Sequence, residues 1–363
     1  MKGRVAALVG PEEVTVKEFE VPEPEPGAVL ARVRRANLCG SEVHIYHFHH
    51  PLIRECVLGH EFVGEISALG EGVETDYAGN PVAVGDRVIA PYFLTCRKCP
   101  ACLQGDFNLC QKAYAFWSQP PEEEPHFTGA FSTHYYIHPD QYFYKVPDDL
   151  PDEVVAGANC GLSQVLFGLH QIGLSTGDSL VIQGAGGLGL YAAAVGKDMG
   201  AQVIVVEGIP QRIDLARRFG AESIVDLQEH ETPEERVEQV EALTGGYGAD
   251  VVLEVAGVPA AFVEALQFAR PGGKIVQIGT VNIGKENEVS IAPGLITRKN
   301  LQVQGFVRYH PWHLHKSLRF LERKHRDHPF DELTDREYAL EDVGEAIELE
   351  EAKQVARPAV VPD

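Results

Sequence analysis

The sequence lacks any apolar run approaching the ~18 residues that a membrane span requires. Its opening, Met1, Lys2, Gly3, Arg4 with an early Gly10, Pro11, Glu12, Glu13, lacks the apolar core of a signal peptide. These absences make the cytoplasm the expected location. Positive charge is also scarce: 31 Lys and Arg stand against 53 Asp and Glu, giving a formal charge of −22 and a pI near 5.1. Nucleic acids and anionic membranes attract clustered Lys and Arg, so neither is an expected partner. No internal repeat is present, and the one biased segment, the Pro and Glu run from Pro120 to Pro125, reads as a surface loop. What is present is ordinary: 363 residues and 44% hydrophobic content suffice for two or three domains with substantial cores.

Cysteine is sparse and unevenly spread, at seven residues. Cys96, Cys99, Cys102 and Cys110 crowd into a CxxCxxCx₇C array, too closely for disulfides spread through a large fold. Four thiolates at this spacing can close around Zn²⁺ at roughly 2.3 Å each and leave no position for water, which makes the segment a structural lobe; an iron–sulfur cluster is the alternative. Cys39 and His60 are of a different kind. A thiolate and an imidazole joined by a distant third ligand leave the fourth tetrahedral position open, and Cys160 in Asn159, Cys160, Gly161 is the candidate third ligand. Taken alone, Cys39 and His60 would read as a small core residue and a satisfied histidine. Cys56 is then left over as a structural free thiol.

Residues 1 to about 150 read as β-rich, with short apolar runs such as Ala28 to Arg32 and Arg87 to Ala90 between Gly and Pro turns, and little helical periodicity. From about residue 178 apolar strands alternate with amphipathic segments: Leu180 to Gln183, Val203 to Val206, Val251 to Val255 and Ile275 to Ile278. That is the pattern of a parallel sheet with crossover helices. A helical, basic stretch from Leu314 to Lys324 follows, then an acidic helix-like run and an apolar tail. Residues 310 to 363 are too few for a sizeable core of their own, so the tail is expected to rejoin the first domain.

Ser179 to Gln183 reads as a strand, Gly184, Ala185, Gly186, Gly187, Leu188, Gly189 follows it, and Leu190 to Met199 suits a helix. In this setting Gly184 permits the tight turn, Gly186 lets the backbone approach a pyrophosphate, and Gly189 allows close helix–strand packing. Glu207 ends the next strand, 23 positions after Gly184, where a carboxylate can accept hydrogen bonds from ribose hydroxyls and repel a 2′-phosphate. NAD is therefore expected over NADP, with Arg212 downstream keeping NADP open.

Together these motifs resemble a zinc-dependent alcohol dehydrogenase of the medium-chain dehydrogenase/reductase superfamily, along nearly the whole chain and in the same order. Cys39 to His44 resembles the first catalytic ligand motif, Gly59, His60, Glu61 the second, Cys96 to Cys110 the structural zinc lobe, and Asn159 to Ser163 the segment of the third ligand. The resemblance implies an α/β fold in which a Rossmann doubly wound parallel-sheet domain, 161–304, is inserted into a GroES-like β-rich catalytic domain. That domain comprises 1–160, with the zinc lobe at about 92–112, and the returning 305–363. It implies two Zn²⁺ per chain, NAD held by Gly184, Gly186, Gly187, Leu188, Gly189, Glu207 and Arg212, and a homodimer or homotetramer. Ser41 would hydrogen-bond the substrate oxygen and start a proton relay to His44, and Glu61 would be a transient metal ligand or stand just behind the ligands.

By the same resemblance the segments holding Tyr92 and Phe93, and Phe116 and Trp117, border the cleft above the catalytic metal, with Phe93 and Trp117 as pocket walls. Aromatic walls favour an apolar alcohol, since a hydroxyl buried without a partner costs roughly 1–3 kcal/mol. Ser41 is one methyl smaller than the Thr of some relatives and leaves room for a secondary or cyclic alcohol. The Cys39 to Tyr46 portion also resembles threonine and polyol dehydrogenases, which often use a carboxylate where this chain has Cys160. The extra histidines His47, His49 and His50 are expected on a mobile, solvated loop. A catalytically idle NAD-binding or structural zinc protein is the rival of another class, and it has no use for an open metal site.

Overall fold

The alternating apolar residues of the first 150 positions become short antiparallel strands in a computed structural model of the chain, which describes residues 1–279, 284–355 and 357–362, apart from the side chain of residue 286. Contacts divide the chain into two units, Met1–Ser163 with His310–Asp363, and Gln164–Tyr309.

In the first unit β1 (Lys2–Gly10) and β2 (Glu13–Glu20) form an antiparallel hairpin. A second sheet starts with β3 (Val29–Asn37), while β4 (Cys56–Val57) completes the first sheet on the other edge of β1. Antiparallel pairing then joins β5 (Glu61–Leu69) to β3, β6 (Arg87–Ile89) to β5, β7 (His134–Ile137) to β3, and β8 (Tyr144–Lys145) to β6. Val5, Ala7, Leu30, Val57, Phe127 and Tyr136 form a buried cluster here. Each large apolar side chain withdrawn from water contributes about 1.5–3 kcal/mol before chain entropy is set against it.

The second unit is one six-stranded parallel sheet. Its members are β9 (Ser179–Gln183), β10 (Gln202–Glu207), β11 (Ser223–Asp226), β12 (Ala249–Glu254), β13 (Ala269–Gln277) and β14 (Gln302–Gly305), in the spatial order β11-β10-β9-β12-β13-β14. The order reverses direction between β9 and β12, the topological switch point at which doubly wound sheets receive dinucleotides. Val181, Ile204, Val252 and Ile275 are fully buried, as strands covered on both faces require. The helix after β9 spans Gly187–Asp198, beginning three residues before the expected Leu190. The last glycines of the turn are thus its first turn, and their N–H groups have no carbonyl within the helix.

The chain then returns with β15 (Arg336–Tyr338) and β16 (Pro358–Val360), and β16 pairs antiparallel with β3 through Ala359 opposite Asn37 and Val360 opposite Ala36. Helix Val343–Glu351 packs on helix Gly40–Tyr46. The latter, at seven residues, is too short to show helical periodicity in the sequence. Among the described residues no helix is long and apolar enough to cross a membrane.

Candidate functional site

Cys39 sits at the N-cap of helix Gly40–Tyr46, and the third residue of that helix, Glu42, closes a capping box by accepting the Cys39 N–H on Oε2 at 2.9 Å. The other oxygen, Oε1, lies 2.5 Å from His60 Nδ1. One fully buried carboxylate therefore orients two candidate metal donors and leaves His60 Nε2 facing Cys160 Sγ, 3.2 Å away. Cys160 lies on a π-helical turn, Ala158–Leu162. Its neighbour Asn159 donates to the carbonyls of His60 and Ala90, both at 2.8 Å, which ties this turn to the His60 segment.

Donor atoms of Cys39, His60, Glu61 and Cys160 lie within 4.8 Å of one another. Glu61 is fully buried; its Oε2 is paired with Arg357, which β16 carries in beside β3, and its Oε1 has no hydrogen-bond partner among the described residues. The electrostatics are those of a buried site with an excess of anionic donors. Cys160 donates to Cys39 and holds its thiol well below the ordinary value, against desolvation and with help from His60, while the same bond and burial drive Cys160 well above. Burial works against charge on His60, but Glu42 and Cys39 outweigh it and raise its pKa well above the usual range. Burial lifts the Glu61 carboxyl to about 8 although Arg357 opposes it. Glu350, on the helix packed against Gly40–Tyr46, is pushed by burial to about 9. A divalent cation offsets such an excess, and two thiolates with one imidazole suit Zn²⁺.

The second cluster consists of Cys96, Cys99, Cys102 and Cys110, again with donor atoms within 4.8 Å of one another. Backbone N–H groups point at its sulfurs: Cys96 N–H to Cys110 Sγ at 3.3 Å, Cys99 N–H to Cys96 Sγ at 3.4 Å, and Lys112 N–H to Cys110 Sγ at 3.4 Å. Backbone donors bring Cys99 down to about 6 and lower Cys96, whereas burial pushes Cys102 up to about 12 and raises Cys110. Four crowded sulfurs cannot all carry charge without a cation among them. Cys56 is a buried free thiol whose pKa burial raises, an inert core residue.

Around His60 the aromatic rings fall differently from the sequence expectation. Trp117 lies 5.0 Å from the His60 ring between centroids and is anchored by its indole N–H to the Val57 carbonyl at 3.1 Å. The other ring beside His60 is Tyr92, at 4.8 Å, with Phe93 packed edge-on against Tyr92 and buried. Phe116 belongs to the core cluster of the first unit. Ser41 and His44 share helix Gly40–Tyr46 three positions apart, hence on one face. Burial lowers the pKa of His44 and keeps the imidazole neutral near pH 7.

The loop expected to be mobile and solvated is exposed at His49, Pro51 and Leu52, while His47 and His50 are held by hydrogen bonds. His47, 21% exposed, bridges Glu12 at 2.8 Å and Glu351 at 3.0 Å, and His50 Nδ1 accepts the N–H of Leu52 and Ile53.

In the second unit Gly184 has φ +95° and its Cα faces Ala256, while a Cβ on Gly189 would lie 1.9 Å from the Gly184 carbonyl. Neither position admits a side chain. Gly186 differs: among the described residues a Cβ there would meet no atom within 4 Å, so a pyrophosphate has room beside the helix N-terminus. Glu207 Oε2 accepts the Ala185 N–H at 2.9 Å, and its Oε1 accepts Gly208 and Ile209 N–H at 2.8 and 3.0 Å. Arg212 is half-buried on helix Pro210–Arg218, just beyond.

Glu42 and Arg357 are the site residues sequence reasoning missed, and Tyr92, placed in the right segment, was passed over as a wall in favour of Phe93. The Cys-x-x-Glu spacing of a capping box was a readable signal for Glu42; nothing local marked Arg357.

An open donor set in a GroES-like β unit and a glycine-rich switch point in a parallel sheet define a metal-assisted dehydrogenase. The comparisons agree. Residues 25–148 match the alcohol dehydrogenase GroES-like domain and residues 187–323 the zinc-binding dehydrogenase domain. The chain is 32% identical over 98% of its length and 98% of theirs to 5-exo-hydroxycamphor dehydrogenase of Pseudomonas putida, and 30% identical to sorbitol dehydrogenase of Bacillus subtilis over 84% of this chain and 82% of that one. The crystal structure of an alcohol dehydrogenase from Thermotoga maritima superposes with a TM-score of 0.93 at 26% identity, covering 100% of both chains. The chain belongs to the zinc-dependent alcohol dehydrogenase family of the medium-chain dehydrogenase/reductase superfamily, and it is an oxidoreductase of alcohols that works with zinc and a nicotinamide cofactor.

Proposed function

We propose that this enzyme oxidises a secondary or cyclic, largely apolar alcohol to its ketone with NAD as acceptor. The observation that carries the substrate class is the packing of the Trp117 and Tyr92 rings beside His60. Such rings offer much contact area and, apart from the Tyr92 hydroxyl, no hydroxyl partner, so the several hydroxyls of a polyol lose hydration there with little compensation. The hydroxycamphor-oxidising relative, named for a bicyclic secondary alcohol, supports the same class.

In this reading the first unit is the catalytic domain and the second binds NAD. Cys39, His60 and Cys160 would hold the catalytic Zn²⁺, with Glu61 as an alternate donor, and the Cys96, Cys99, Cys102, Cys110 quartet a structural Zn²⁺. The catalytic ion supplies Lewis acidity toward an alcohol oxygen. The balanced reaction converts R₂CHOH and NAD⁺ to R₂C=O, NADH and H⁺, so one proton must leave the site. Ser41 presents a hydroxyl two residues past Cys39, and His44 on the same face is a neutral acceptor for that proton. Glu42 keeps the donor atoms oriented throughout. Glu207 offers an anionic acceptor to ribose hydroxyls and like charge to a 2′-phosphate, with Arg212 close by. The resemblance supports a homodimer or homotetramer in the cytoplasm.

A polyol or threonine substrate is the second reading, favoured by Glu61 standing within the donor cluster and by the sorbitol-oxidising relative. Steady-state kinetics separates the two. Cyclohexanol-like alcohols are expected to show higher kcat/KM than ethanol, sorbitol or threonine, and Trp117→Ala to alter that ranking. Sorbitol or threonine as the best substrate would defeat the apolar reading.

A further inference from the structure

Three side chains stand in register at the carboxyl-terminal ends of the central strands of the second unit: Gln183 on β9, Glu254 on β12 and Gln277 on β13. Glu254 is fully buried and Gln183 is 3% exposed. An unpaired carboxylate in such a place is costly, and this one is well partnered. Its Oε1 accepts the Gly257 N–H at 2.9 Å, and its Oε2 accepts the amide N–H of Gln277. Its own carbonyl accepts Ile278 and Gly279 N–H at 3.1 and 3.0 Å.

Glu254 ties the loop after β12, which flanks the glycine-rich turn, to the loop after β13 one strand further out. Ala256 lies against Gly184, where a Cβ would come within 2.9 Å of the Ala256 Cα. Gly279 lies directly over the carboxylate, where a Cβ would come within 2.7 Å of Oε2. The carboxylate thus sets the height of both loops above the sheet. Two buried acceptors beside it, Gln183 Oε1 and Gln277 Oε1, have no donor among the described residues and are open to a donor from a ligand.

Glu207 lies on β10, on one side of the switch point between β9 and β12, and β12 and β13 lie on the other. A dinucleotide crossing at the switch point with its adenosine toward Glu207 places its nicotinamide half over β12 and β13. We propose that Glu254 is a positioning residue for the nicotinamide half of the cofactor, acting by holding the Val255–Gly257 and Ile278–Gly279 backbones at its rim. The inference rests on the assignment of the second unit as the NAD site.

The test uses the full-length zinc-loaded enzyme and two probes, NADH and ADP-ribose, the latter lacking nicotinamide. Glu254→Gln can still accept from Gly257, but it exchanges the charge-assisted bond from the Gln277 amide for a neutral amide–amide pair, for which Gln277 must turn its amide. Calorimetric titration is expected to show NADH affinity about tenfold weaker, the order of one charge-assisted hydrogen bond, with ADP-ribose affinity within about twofold of the parent. Adding Gln277→Glu restores the pair with donor and acceptor exchanged, and is expected to recover most of the NADH affinity. Equal losses for NADH and ADP-ribose would show a general collapse of the crevice and overturn the proposal, as would unchanged NADH affinity or failure of the double variant to recover. Failure of the parent enzyme to bind either probe would overturn the NAD assignment itself, and this inference with it.

Discussion

Glu42 Oε2 accepts the Cys39 N–H and Glu42 Oε1 holds His60 Nδ1, so a carboxylate that donates no electron pair to the metal governs two residues that would. Its burial raises its own pKa, and the imidazole and backbone N–H beside it pull the other way. Glu42→Gln keeps the shape and the Cys39 cap but removes the anion that fixes the His60 tautomer. Outer-shell carboxylates of this kind are worth about 10–100-fold in metal affinity. Chelator competition is expected to show the catalytic zinc of the Glu42→Gln enzyme weakened to that extent and the quartet zinc unchanged; equal retention of both would mean the carboxylate only caps the helix. Arg357 illustrates the opposite case in legibility. A lone arginine before an apolar strand carries no local signature, and only the pairing of β16 with β3 brings it to Glu61.

Helix Gly40–Tyr46 carries Cys39, Ser41, Glu42 and His44, and at seven residues it is too short to stand without tertiary support. Its far end supplies that support. Tyr46 bonds Glu348 at 3.1 Å, and His47 joins Glu351 on the C-terminal helix to Glu12 in the first hairpin. Burial disfavours the His47 cation, but the bonds to Glu351 and Glu12 outweigh it, and the net pKa is raised. A raised folded-state pKa means stabilisation that is complete below the unfolded value of about 6.5 and lost as pH climbs through the folded value. The parent is therefore expected to lose stability relative to His47→Gln as pH rises from 6 to 8, by about 1 kcal/mol, since both carboxylate partners are exposed. Denaturant melts at several pH values check this, and parallel pH profiles for parent and variant would refute it.

Across the whole molecule the two cysteine-bearing clusters predict two zinc ions with separable consequences. Cys102→Ser opens the closed lobe; it is expected to remove one zinc per chain and lower the melting temperature. Cys39→Ser is expected to remove the other and abolish turnover with smaller loss of stability. Zinc analysis beside thermal melts decides between this scheme and a single-metal enzyme, which would show one zinc in fully active parent. Residue chemistry, spacing and the family resemblance singled out these residues as candidate donors, and the folded chain brings their donor atoms together. The same holds for the βαβ turn, whose glycines are demanded by local sterics at Gly184 and Gly189. What lay beyond the sequence were contacts between residues of common type. Glu42, Glu254 and Arg357 resemble the many other charged residues of this acidic chain until strand pairing, burial and helix packing choose their partners. The ring beside His60 belonged to Tyr92 with Trp117, with Phe93 behind, because successive side chains diverge along extended backbone and only the folded chain determines which one faces the imidazole. Local pattern determined which chemistry this protein carries; tertiary structure decided which ordinary residues hold that chemistry in place, since burial and proximity are properties of the fold and not of any segment.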